Sequence, residues 1–224
     1  MNFVEEFETQ RRFSLITFHF SFPMNRKKFL TTTALTAFSL SAFGTIAKAI
    51  DGSFKGDCDT TNDILGPFYR EGSPLRSDLT FEGLEGARIS VKGRILGPDC
   101  KTPLENATVE IWHCDTKGEY DNETDQFRQR GQWKTDKSGE YAFRTIFPGK
   151  YLNGKLYRPS HIHFRVSAPG HAELISQIYF KGDPHLQKDP WASQEKAKQR
   201  ILEILPEDIA GTFAIHFDVF LRAL

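Results

Sequence analysis

The sequence predicts an all-β fold, a β-sandwich, and three observations carry that expectation. Short segments alternate apolar and polar residues, turn-forming Gly, Pro, Asn and Asp separate them, and aromatics reach 13%, with 20 phenylalanines among 224 residues. The first segment, RISVKGRI (88–95), puts Ile89, Val91 and Ile95 on one face. ATVEIW (107–112) does the same with Val109 and Ile111. EYAFRTI (140–146) follows DKSG, a turn signal at 136–139. HIHFRV (161–166), LISQIYF (174–180) and TFAIHFDVF (212–220) complete the set. One helix is expected, over 193–205, ended by Pro206. Residues 51–85 are polar and irregular, and read as an arm wrapping the sandwich.

Composition narrows the function classes. The chain carries 29 basic and 29 acidic side chains, and no Lys/Arg block lies in the expected domain. A nucleic-acid binder needs a cationic face to neutralise phosphates, so that class is set aside. Three cysteines in a chain this long exclude a disulfide-scaffold miniprotein. No apolar run is long and clean enough to predict a stable membrane span.

The first fifty residues read as a separate object. From Met24, a basic cluster (Arg26, Lys27, Lys28) precedes a weakly apolar stretch, and Ala47-Lys48-Ala49 supplies the small-x-small cleavage pattern. This order predicts an export signal cleaved near Ala49, with Met24 as the true start and one folded domain at 50–224. NRKKFL (25–30) is similar to a twin-arginine signal but has Arg-Lys where the motif has Arg-Arg, leaving the route open. Removing residues 1–49 takes away six basic and three acidic side chains, leaving 23 basic against 26 acidic. In an oxidising compartment, Cys58 and Cys100 are the expected disulfide, with Cys114 a buried thiol.

The chemistry centres on RPSHIHF (158–164). Residues two apart on a strand point the same way, so His161 and His163 offer two imidazoles to one face, a pair suited to Zn, Cu, Fe or Ni. No Asp or Glu adjoins this strand in sequence. A His-His-carboxylate site would need Asp183 or a more distant acid. Tyrosine phenols in loops are the other oxygen source, with Tyr120 and Tyr151 after turn signals. Spacing alone does not choose them over Tyr69, Tyr141, Tyr157 or Tyr179.

The chain resembles the intradiol ring-cleavage dioxygenases, the catechol, protocatechuate and hydroxyquinol dioxygenase family. The resemblance rests on LGPFY (65–69), IWHCDTKGEY (111–120), FRQRG (127–131), TDKSGEYAFRTIFPGKY (135–151), RPSHIHF (158–164), SAPG (167–170) and QIYFKGD (177–183). It implies a β-sandwich core and one non-haem Fe(III) per site, held by Tyr120, Tyr151, His161 and His163. It also implies catalytic roles for Tyr151, Arg158 and Gln177, and a substrate pocket touching Pro67, Tyr69 and Arg158, with Tyr157 and Arg165 as further candidates. The implied reaction cleaves a catechol-type ring with O2, inserting both oxygen atoms to give a muconate-type dicarboxylate. A homo-oligomer is compatible with the resemblance. Two departures stand out: the helical dimerisation segment of the catechol and hydroxyquinol branches is missing, and the loop from Tyr151 to Arg158 is short. Two other readings stay open at this point: a His-His-carboxylate metalloenzyme, and a secreted sandwich that binds aromatics or a partner without catalysis.

Overall fold

Two five-stranded sheets face each other, as the alternating segments predict. The computed structural model describes residues 58–207, 209 and 211–224; the expected export signal, the start at Met24 and the division at 49/50 lie outside them. Strand β1 (Arg88–Leu96) is central to one sheet. It pairs antiparallel with β4 (Glu140–Ile146), and parallel with β11 (Thr212–His216) and β12 (Val219–Phe220); β10 (Leu205–Pro206) adds to β11. The second sheet runs β3-β2-β7-β8-β9, from β3 (Arg130–Lys134), β2 (Thr108–Trp112), β7 (His161–Ser167), β8 (Leu174–Phe180) and β9 (Ile201–Leu202). A separate hairpin joins β5 (Tyr151–Asn153) to β6 (Leu156–Arg158).

The core lies between the sheets. Ile89 and Val91 of β1, Tyr141 and Phe143 of β4, and Val109, Ile111, Ile162, Phe164 and Val166 of the second sheet are all buried. Phe164 of β7 makes edge contacts to Phe143 at 5.8 Å, Tyr141 at 6.1 Å and Phe217 at 5.6 Å between centroids, tying the two sheets together. Because side chains alternate along β7, burying Ile162 and Phe164 in this core sends His161 and His163 to the opposite face.

From residue 58 onward the arm runs along both sheets, as expected. Asp63 N–H donates to Ile175 O on the β8 side, and Pro74 O and Arg76 N–H bond Gln132 on β3. Further on, Leu79 N–H and Ser77 O bond Arg144 on β4. Backbone groups on free strand edges are thereby satisfied by the chain's own arm. A disulfide between Cys58 and Cys100, with Cα atoms 5.6 Å apart, fastens the start of the arm to the β1–β2 loop. Cys114 is the buried thiol expected; it donates to Gly149 O at 3.1 Å, and burial pushes its pKa up to about 12.

Two expectations are corrected. The segment 193–205 is not one helix: a 3₁₀ helix spans Glu195–Arg200, and Ile201 and Leu202 then pair in parallel with Tyr179 and Phe180. Pairing with the β8 edge and burial of the Arg200 side chain override helical periodicity there. The segment 212–220 is likewise two strands. It breaks at Phe217 and Asp218, whose carbonyl and carboxylate accept bonds from the Tyr141 hydroxyl and the Arg94 N–H.

Candidate metal centre

The outer face of the second sheet carries the functional side chains. His161 and His163 are fully buried there, with ring centroids 4.9 Å apart. The loop after β2 delivers Tyr120, and β5 delivers Tyr151. Asp115 Oδ1 accepts from the Lys117 and Glu119 N–H groups, curling the loop into a tight turn. Gly118 completes this turn at φ +86°, and a Cβ there would stand 2.5 Å from Lys150 O and 2.9 Å from Tyr151 Cβ. Only glycine lets the two tyrosine-bearing turns press together. Tyr120 and Tyr151 consequently lie 5.7 Å apart, Tyr151 is 5.7 Å from His161, and Tyr120 is 6.2 Å from His163.

The donor atoms are prepared for a cation. His161 Nδ1 lies 2.7 Å from Pro159 O, which fixes its proton there and leaves Nε2 as the lone pair. That Nε2 is 3.5 Å from Tyr120 Oη. His163 Nδ1 is buried without a hydrogen-bond partner, an orphan of the kind a functional site leaves. Its ring stacks on Trp112 at 4.7 Å, and a Cβ on Gly66, at φ +77°, would meet His163 Cε1 at 3.0 Å. Phe68, two residues on, stacks on Tyr120 at 4.4 Å.

Burial, reinforced by the Arg158 charge, lowers His161 to about 3. Burial and then the His161 charge lower His163 well below the ordinary range. Both imidazoles are therefore neutral and able to act as ligands near pH 7. Burial raises the Tyr120 phenol well above its usual value; it also raises Tyr151, against which the Arg158 charge pulls back down. Phenols held this way ionise only for a strongly charged cation. Two phenols and two imidazoles form a donor set that suits Fe(III).

The other oxygen donors are engaged elsewhere. Asp183 Oδ2 accepts from Ser160 N–H at 2.9 Å and Oδ1 from His185 N–H at 2.8 Å. Among the described residues no cluster of three His, Cys, Asp or Glu could hold a metal. Tyr141 is in the inter-sheet core, and Tyr157 is exposed against Lys150 and His185. Tyr179 donates its hydroxyl to Asp63 and Gln177 oxygens.

Arg158, at the end of β6, is paired across the hairpin with Tyr151. Gln177 reaches it, with Oε1 accepting from Arg158 Nη2 at 3.1 Å, and its own Nε2 donates to Ile64 O at 2.8 Å. Arg158 Nη1 is buried without a partner. Of the sequence-predicted pocket residues, Pro67 is exposed in the turn between Gly66 and Phe68. Tyr69 does not join the cluster. It packs behind Trp112 at 4.9 Å, donates to Glu110 and accepts from Arg165, so Arg165 is drawn away with it. Alternation along the arm explains this, since Phe68 takes the Tyr120 side and its neighbour must take the other. Sequence reasoning also missed Asp189, Trp191, Arg130, Asp63 and Arg200. Arg130 bonds Phe68 O, Asp121 O and Asn122 Oδ1, joining the arm to the loop that carries Tyr120. The FRQRG motif holds Arg130, but nothing in its spacing names those partners.

The family model described as Dioxygenase matches residues 64–223. The chain is 35% identical over 199 residues to catechol 1,2-dioxygenase of Acinetobacter baylyi, covering 74% of this chain and 63% of that one. It is 34% identical over 184 residues to the protocatechuate 3,4-dioxygenase beta chain of Burkholderia cepacia, covering 71% and 78%. The match to catechol 1,2-dioxygenase 2 of Acinetobacter lwoffii, 37% identical over 150 residues, covers 58% of this chain and 54% of that relative. The chain thus spans between half and two thirds of these catechol dioxygenases. Among solved structures, the dioxygenase domain of a dioxygenase carbohydrate-binding protein fusion from Streptomyces sp. SirexAA-E has TM-score 0.64 and 30% identity, covering 74% of this chain and 99% of that one. Catechol 1,2-dioxygenase from Acinetobacter sp. ADP1 has TM-score 0.64 and 31% identity, covering 74% and 63%. Family model, sequence identity and fold agree, and the chain belongs to the intradiol ring-cleavage dioxygenase family.

Proposed function

We propose that the protein opens a catechol-type ring between its two hydroxyl-bearing carbons, using O2 and one Fe(III) held by Tyr120, Tyr151, His161 and His163. Both oxygen atoms enter the product, a muconate-type dicarboxylate. The observation that carries this reading is the convergence of two phenols and two neutral imidazoles on one buried face, with every nearby carboxylate engaged elsewhere. When bound, Fe(III) supplies Lewis acidity that draws electron density from a chelating ring.

The chain's own residues supply the rest. Tyr151 stands beside the Arg158 cation, so its Oη is the phenol oxygen best placed to take a proton from an arriving catechol hydroxyl. Tyr120 is the more firmly held of the two, through Phe68 stacked on its ring and Arg130 beneath its loop. Arg158 keeps its charge at any working pH and has one nitrogen without a protein partner, which suits it to an anionic ring oxygen. Gln177 holds the Arg158 guanidinium on its other side.

The test is product analysis with catechol under ¹⁸O2. One O2 consumed per ring opened, with both labels in a dicarboxylate, is the expected result. Label in one position, or cleavage outside the diol, contradicts the reading. We also propose that the protein is exported. The Cys58–Cys100 disulfide supports this, because such bonds persist in oxidising compartments. N-terminal sequencing of the native protein should find a start at residue 50; an intact Met1 end contradicts export by this signal.

A further inference from the structure

Arg158 does not choose its own orientation. Its guanidinium is buried, and Nε donates to Asp189 Oδ2 at 2.8 Å, an ion pair in which both side chains are almost wholly out of solvent. Nη2 lies 3.5 Å from Asp189 Oδ1, 3.1 Å from Gln177 Oε1 and 3.2 Å from Tyr179 Oη. One face of the guanidinium packs on the Trp191 ring, with Cζ 4.4 Å from its centroid. A whole edge and a face are thereby occupied, and Nη1 alone is unpaired.

Asp189 is itself held. Its Oδ1 accepts from the Trp191 N–H at 3.0 Å and the Ala192 N–H at 2.7 Å, so the turn that places Trp191 also fixes the carboxylate. The planar guanidinium reads both carboxylate oxygens at once, which a point charge would not do. We infer that Asp189 is the positioning residue for Arg158: it takes the Nε–Nη2 edge against the Trp191 turn, so that Nη1 is the end left for the ring substrate. This inference deepens the proposed function and rests on it for its kinetic consequence, though not for the geometry.

The test uses D189N, D189E, R158K and the double variant R158K/D189N in the full protein. Asparagine keeps an oxygen for the Trp191 and Ala192 N–H groups but turns an N–H₂ toward the Arg158 Nε–H, so the turn survives while the pairing fails. Measured on each are iron stoichiometry, the visible spectrum, kcat and KM for catechol, and hydrogen exchange at the Arg158 Nε–H by ¹⁵N NMR. D189N should keep its iron and spectrum, lose Nε–H protection, and drop kcat about thirtyfold with KM within about threefold. D189E retains the buried charge and hence the fold; it should recover part of kcat and of the protection. In the R158K background, D189N should cost less than about threefold, because the residue it positions is already gone. A D189N or D189E protein with lower melting temperature but wild-type kcat and Nε–H protection overturns the inference. So do effects that simply multiply in the double variant. Wild-type protein inert toward catechol, with Nε–H protection lost in D189N, would leave the positioning role standing and reject the proposed reaction instead.

Discussion

Along β7, Ile162 and Phe164 look into the gap between the sheets, while His161 and His163, their chain neighbours, look the other way. All four are essentially inaccessible to solvent. The inner face solves burial with apolar side chains and with polar groups that are mostly paired, although Trp133 Nε1, on the ring packed against Phe143, lacks a partner. His113, one residue past β2, shows the pairing: its Nδ1 meets Cys114 O at 2.7 Å and its Nε2 meets Thr145 Oγ1 at 2.8 Å. The outer face buries as thoroughly but leaves atoms unpaired, among them His163 Nδ1, Arg158 Nη1, Arg130 Nη1 and Trp112 Nε1. Burial therefore does not separate scaffold from site in this protein; a cluster of unmet hydrogen-bonding groups around the two histidines does.

Substitutions on the two faces should break in different ways. H163A should lose iron and at least about 10³-fold of activity while the melting temperature of the metal-free protein stays close to wild type. Iron analysis beside calorimetry reads both, and iron retention would place His163 outside the centre. F164A, one position along, should do the reverse. It costs about 3–5 kcal/mol of stability by the cavity it leaves, yet the folded fraction should keep its iron. Urea unfolding decides it, and a loss under about 1 kcal/mol would mean that the sheets can collapse around the gap. R158K should leave stability and iron less disturbed and lower kcat about a hundredfold, since lysine offers a point charge and no planar edge.

The smallest effect concerns the paired histidine of the inner face. Burial lowers His113 to about 4, well under the ordinary 6.5. The unfolded chain binds this proton first, so the stability contributed by neutral His113 is present above pH 6.5 and is lost as pH falls through about 4. The window is worth about 3 kcal/mol at most. In urea unfolding of the metal-free protein from pH 7 to 4, H113N should show a shallower decline than wild type. Equal slopes would show that His113 takes up its proton as readily in the fold as in the unfolded chain.

How much of this was legible in the sequence follows from range. The alternation in 88–95 and 140–146 declares strands because a half-buried strand writes its faces locally, and the His-x-His spacing declares two ligands for the same reason. The 151–153 and 156–158 hairpin is too short to show a period. The 3₁₀ helix at Glu195–Arg200 carries polar residues that mimic a longer helix, while pairing of Ile201 with Tyr179, distant in sequence, decides the outcome. The choice of Tyr120 and Tyr151 among six tyrosines came from the family resemblance; the structure supplies the physical cause in Gly118 and the interlocked turns. Asp189 was illegible, since its partner lies 31 residues away and no local pattern marks the pair.

The central claim is that two phenols and two imidazoles of the outer face hold one iron that a catechol can chelate. The visible absorption spectrum of the iron-loaded protein, before and after anaerobic addition of catechol, tests it most directly. The account predicts a phenolate-to-Fe(III) charge-transfer band in the resting protein, shifted when catechol binds. A protein that carries stoichiometric iron and shows no such band would remove Tyr120 and Tyr151 from the metal, and with them the proposed reaction.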